Sequence, residues 1–434
     1  MSTLESGGSV SDFLRAESDK YFDRAQTQQK SFLERLATLA EVYVGAAVVG
    51  PLFLVIVLLL IDLLGANVTA VLYISVYVII PALLVGILGA AYYMSSGYGE
   101  ITVRPSPRSL DPPEEADFED DRLGRYRNRR WIGVIRSLLL QPVSYIEHRP
   151  VRVLWFSIPI GVLTALGTVW LGVVSVSTAT MADQPVRTTT ALVVVPFLVA
   201  FAPLSVIHER RRRRQNQIVQ RFPDFLNQLS TANDMGLNVS EALALVGRRS
   251  EGHLATEVEQ TANDSYWTGD FSGSLARMSE RIGSARAARS LTLVGTASQI
   301  SGNISRVLDV AARDSSNTAR LRESRLQEMQ TYTAIVAIAF LIYLAIVLLL
   351  EVTFLETFAE LTDELEETGD SPFEFGDTDS GIYRMLLFHS ALIQAVGNGL
   401  IAGKMGQNSM LSGLKYCLIL TVITVGAYAV VLSI

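Results

Sequence analysis

The stretch AIVAIAFLIYLAIVLLL, residues 334–350, runs for seventeen residues without a charge. Tyr332 and Thr333 before it and Val352 to Leu355 after it lengthen the apolar run, so it reads as a helix that crosses a membrane. The charge on its two sides is opposite. Residues 208–333 carry 17 Arg, beginning with Arg210, Arg211, Arg212, Arg213 and Arg214, whereas residues 351–381 carry 11 Asp and Glu and neither Lys nor Arg. Short basic segments stay in the cytoplasm. The basic side is therefore expected inside and the acidic side outside.

The rest of the chain repeats this logic. It has 434 residues, 49% of them apolar, and its mean hydropathy of +0.32 exceeds that of an ordinary soluble domain. Seven candidate spans emerge: Val42 to Leu64, Ala70 to Met94, Val153 to Val176, Ala191 to Ile207, Ala334 to Leu350, Ile382 to Ala402 and Leu414 to Ile434. His389, Ser390, Gln394 and Asn398 interrupt the sixth. Lys and Arg alternate across the connections. The N-terminal tail has five, the turn near Asn67 none, residues 95–152 ten, 177–190 one, 208–333 seventeen, 351–381 none and 403–413 one. Seven spans then put the N-terminus in the cytoplasm and the C-terminus outside. The 41 mostly polar residues ahead of the first span read as a cytoplasmic tail rather than a signal peptide.

The expected fold is all-α. Residues 1–41 form an amphipathic N-terminal region, with Phe32, Leu36, Leu39 and Tyr43 at helical spacing. Residues 42–94 hold spans 1–2, and 95–152 form a cytoplasmic loop. That loop has a Pro-rich acidic linker at 104–121 and a basic stretch, Arg122 to Arg152. The basic stretch is either a helix on the membrane surface or a solvated segment that enforces topology. Residues 153–207 hold spans 3–4, 208–333 a cytoplasmic helical domain, and 334–434 spans 5–7 around the acidic exterior loop.

Within 208–333, Asn238-Val-Ser-Glu-Ala-Leu243, Asp270-Phe-Ser-Gly-Ser-Leu275 and Asn303-Ile-Ser-Arg-Val-Leu308 share one pattern, each after a glycine (Gly236, Gly269, Gly302). Gly ends one helix and Asn or Asp caps the next. Glu241, three after Asn238, makes a capping-box pair. An antiparallel bundle accounts for the echo better than a solenoid. From Asn303 to Thr368 there is neither Gly nor Pro. The segment is either one helix of about 100 Å or two that meet near Thr331.

The sequence holds no phosphate-binding loop, dinucleotide fingerprint, HExxH or CxxC. Its four His lie in different segments and Cys417 is the only Cys, so no disulfide framework or thiolate metal site is expected. Neither catalysis, a cofactor nor nucleic-acid binding is expected. Arg210 to Arg214 anchor the topology against anionic headgroups, contact an acidic partner face, or do both. In the sixth span, His389, Gln394 and Asn398 need partners, and Gly397, Gly399, Gly403 and Gly406 permit close helix approach. Packing is the preferred account of this span, and a transporter or channel the alternative. A membrane receptor signalling through the helical domain is a third possibility.

Arg221-Phe-Pro-Asp-Phe-Leu-Asn-Gln-Leu229, with Pro223 and Asp224, followed by Met235-Gly-Leu-Asn-Val-Ser-Glu-Ala-Leu243, resembles the type II secretion system F domain. Ser301-Gly-Asn-Ile-Ser-Arg-Val-Leu308 looks like that family's second Gly-containing helix start, and His389 to Lys415 is similar to the end of archaeal members, TadC-like platform proteins of type IV pili and archaella. The resemblance covers 215–434. It implies a non-enzymatic platform in the cytoplasmic membrane, a homodimer by analogy, that engages a hexameric secretion ATPase and guides pilin subunits from the membrane into a filament. The basic faces of 210–333, Arg210 to Arg214 included, and of 122–152 are the expected ATPase contact.

Overall fold

The computed structural model describes residues 10–63, 68–95, 153–172, 184–300, 304–368 and 380–431. Every regular element among them is helical. In chain order these are α1 Val10–Tyr43, α2 Gly50–Leu63, α3 Thr69–Ile74, α4 Ile80–Ser95, α5 Leu154–Trp170, α6 Pro185–Thr189 and α7 Val195–Asp234. They continue as α8 Val239–Arg249, α9 His253–Thr268, α10 Phe271–Ile282, α11 Ala285–Ile300, α12 Ile304–Thr368, α13 Ser380–Gln407 and α14 Met410–Val431. Three π-helical turns, Val44–Val49, Ser75–Ile79 and Thr190–Val194, join α1 to α2, α3 to α4 and α6 to α7. Arg122 to Arg152, Gly302 and Asn303 lie outside the described residues.

The chain divides into two compact units, and the boundaries fall inside α7, after Val206, and inside α12, after Ser324. The first unit holds the apolar helices. Six helical stretches are long and apolar enough to cross a membrane: Lys20–Ile61, Thr69–Ser95, Pro185–Asp234, Ile304–Thr353, Gly381–Gln407 and Met410–Val431. The third candidate span is α5, a shorter apolar helix. Trp155 and Trp170, near its two ends, are 83% and 86% exposed, as interfacial anchors of a spanning helix are. The chain is an all-α polytopic membrane protein.

Two helices run further than the apolar pattern indicated. The fourth span continues without a break through Arg210 to Arg214 to Asp234. Residues 304–368 form one helix of 65 residues, with no interruption at Thr331, because no residue in the segment opposes the i→i−4 ladder.

The second unit packs α8 to α11 with the adjoining parts of α7 and α12. Its core includes Phe222, Phe225, Leu226, Leu229, Leu243, Val258, Met278, Leu291 and Leu308. Helix ends are set locally. The Asn238 side chain accepts from the Glu241 N–H at 2.9 Å and the Glu241 carboxylate accepts from the Asn238 N–H at 3.3 Å, satisfying two N–H groups that the first turn leaves open. The Asp270 carboxylate accepts from the Gly273 N–H at 2.8 Å. Gly236 (φ +90°) and Gly269 (φ +67°) occupy left-handed conformations between helices, where a Cβ would be strained.

Candidate functional site

In the helical unit, the basic block lies in the middle of α7. Arg210 and Arg213 are exposed, whereas Arg211, Arg212 and Arg214 are half-buried. Arg213 pairs with Glu209 at 3.0 Å, one turn back. Arg214 points to Glu257 of α9 at 3.8 Å. Glu257 is buried and is held by Arg281 of α10, whose Nε donates to it at 2.8 Å. Arg281 also donates to Thr261 Oγ1 at 2.7 Å and to the Asp264 carboxylate at 3.3 Å. Arg277 adds a second contact to Asp264 at 3.7 Å. A buried carboxylate is tolerable only with such donors, so this network ties α7, α9 and α10 together.

Pro223 is buried and Asp224 exposed. Asp224 lines a shallow cleft of about 280 Å³ with Arg221, Gln228, Arg249, Ser250 and Glu251. Arg221 donates to the Glu251 carbonyl at 2.6 Å, which fixes the α8–α9 connection against α7. On the other edge, Arg322 of α12 donates to Asn216 of α7 at 2.8 Å.

In the membrane unit the polar residues of the sixth span converge on the π turns. The share of each spanning stretch buried in the protein is 61% for α13 and 22–33% for the other five. Gln394, fully buried, donates to the carbonyl of Ala47 at 2.7 Å, inside the first π turn. His389 hydrogen-bonds through Nδ1 to the hydroxyl of Tyr77, in the second π turn, and through Nε2 to the Thr189 hydroxyl at 2.8 Å, just before the third. A π turn widens the helix and leaves backbone groups off the regular ladder, so polar side chains of a neighbour can reach them. Tyr343 of α12 donates to Ser390 at 3.1 Å. Asn398 is fully buried, and its amide meets no protein partner among the described residues.

The glycines of α13 sit at close approaches. A Cβ on Gly397 would meet Leu84 at 2.5 Å, while one on Gly399 would overlap the Cys417 backbone. A Cβ on Gly403 would overlap the backbone of Gly413 in α14, and one on Gly406 the side chain of Thr333 in α12. At the far end of α13, Arg384 Nε donates to the Glu351 carboxylate of α12 at 2.6 Å.

Sequence reasoning missed the Glu257 network, the Glu351–Arg384 pair and the π turns. Glu257 falls in an amphipathic helix where a single acid looks solvated. Glu351 and Arg384 stand on opposite sides of the acidic loop, and only the absence of any other Arg or Lys in 351–403 sets Arg384 apart.

These contacts join helices within each unit. Among the described residues no group of three or more His, Cys, Asp or Glu side chains could hold a metal ion. The profile of the family described as type II secretion system (T2SS), protein F matches residues 1–58 and 225–350. Those two stretches of the chain are similar to the protein F domain. The matched stretches take in α1, the first π turn, most of the helical unit and the spanning part of α12. No curated protein and no solved structure matches the chain. A protein F domain marks a member of the secretion and pilus-assembly platform proteins.

Proposed function

We propose that this chain is the membrane platform of a type IV pilus- or archaellum-like assembly machine, coupling a cytoplasmic secretion ATPase to the insertion of pilin subunits into a filament. The observation that carries this reading is the protein F domain on a polytopic chain whose second unit is a packed helical body. The N-terminus lies in the cytoplasm and the C-terminus outside, as the alternation of Lys and Arg requires. Arg210 to Arg214 hold that topology against anionic headgroups. Work is done on the pilins by the ATPase, and the platform itself is not an enzyme. It acts as a homodimer, by likeness to the family.

The transporter alternative drew on the polar sixth span. Gln394, His389 and Ser390 are each engaged with neighbouring helices, which favours a packing role for that helix over a substrate path. The test is direct. Full-length protein in lipid nanodiscs should bind the secretion ATPase of its own cell, and substrate flux through liposomes with no ATPase present should be absent. ATPase-independent flux together with no ATPase binding would replace the platform by a carrier.

A further inference from the structure

The last turn of α9 carries two aromatic side chains side by side in the open. Tyr266 is 80% exposed and Trp267 is 83% exposed. Their rings touch edge to face, with centroids 5.6 Å apart at 85°, so each steadies the other without being covered by the rest of the unit. Leaving two large aromatic surfaces in water forgoes several kcal/mol of burial, on the order of 1.5–3 per large side chain, and paired exposed aromatics are the usual anchors of an interface.

The charge around the pair is negative. Asp270, the exposed cap of α10, follows three residues after Trp267. Ser240 and Ser265 hydroxyls lie 3.2 Å apart, which brings the start of α8, with exposed Glu241, beside the end of α9. Glu259 is exposed two turns earlier on α9. The nearby cations, Arg277 and Arg281, are both tied to Asp264. Exposed Tyr and Trp also serve as membrane anchors, but carboxylates at this density are repelled by an anionic leaflet. A basic protein surface is the occupant that fits.

We propose that the Tyr266–Trp267 end of the helical unit is where the secretion ATPase docks, through a basic face with an apolar hollow for Trp267. The proposal rests on the platform reading above and places the contact away from the Arg block. The experiment is binding of the purified secretion ATPase to the full-length chain in lipid nanodiscs, with a photo-crosslinker at Asn263, one turn from Trp267. Trp267→Ala should weaken binding about 30-fold, as truncating a buried aromatic anchor does, and leave Tm unchanged because the side chain is exposed. The pair Glu241→Gln and Asp270→Asn keeps both helix caps while removing two charges, and should flatten the salt dependence of binding. Arg210→Gln with Arg213→Gln should leave affinity within two-fold. Crosslinks from position 263 should run to the ATPase. Unchanged affinity for Trp267→Ala, or crosslinks to a second copy of this chain instead, would overturn the docking assignment while the platform reading stands. No binding by the unmodified protein would overturn both.

Discussion

Cys417 reports on the tightest helix contact in the membrane unit. It is the single cysteine of the chain, is 1% exposed, and its Sγ–H donates to the Val396 carbonyl of α13 at 3.2 Å. A native-state alkylating reagent can reach it only when α13 and α14 separate. Gly403→Ala places a Cβ on the Gly413 backbone, and Gly413 already has Leu400 Cα only 2.9 Å from where its own Cβ would stand. Neither side of the contact offers a flexible side chain that can turn away, so the helices must part. Overpacking of this kind costs roughly 1–3 kcal/mol. At 1.4 kcal/mol per factor of ten, that raises the open population about 5- to 140-fold. The labelling rate of Cys417 by N-ethylmaleimide in nanodiscs, followed by intact mass, should rise by the same factor. Gly426→Ala is the control, because a Cβ there meets nothing within 4 Å, and its rate should match the unmodified protein. Full labelling after denaturation calibrates each sample. If Gly403→Ala labels at the unmodified rate, the close α13–α14 approach is wrong.

Three further outcomes follow from the same geometry. Arg281→Met strips the main donor from buried Glu257 and should destabilise the helical unit by about 3–5 kcal/mol, moderated by Arg214; Glu257→Leu added to it should recover most of the loss, as read by urea unfolding of the purified chain. Asn238→Ala removes the cap of α8 and should cost about 1 kcal/mol, visible as faster hydrogen exchange at Val239 to Glu241 with α10 unaffected. The seven-span reading, which counts short α5 beside the six longer stretches, predicts that a C-terminal tag is protease-accessible in intact cells and an N-terminal tag protected; both tags on one side would remove α5 from the membrane.

Much of the fold was legible because membranes impose a coarse code. Uninterrupted apolar runs such as 334–350 and the alternation of Arg between them need no knowledge of tertiary contacts. The Asn238 and Asp270 caps were legible for a similar reason, since capping is settled within four residues. Helix ends were harder: Arg210 to Arg214 looks like a boundary in sequence, yet nothing in the block breaks a helix, and α7 passes through it. The sixth span illustrates the opposite difficulty. Its low apolarity reflects a helix that faces protein on most sides, 61% buried, and that environment is set by the other helices. The π turns were invisible because VGAAVV at 44–49 reads like any apolar segment. Nothing in the sequence around Tyr266 and Trp267 marks them as exposed, because exposure is set by the packing of the other helices.

The central claim is that this chain is the platform on which an extracellular filament is assembled, and deleting it from its own cell tests that most directly. The account predicts that filaments disappear from the surface by electron microscopy while pilin subunits accumulate in the membrane, with re-expression of the chain restoring them. Normal filaments in the deletion strain would contradict it.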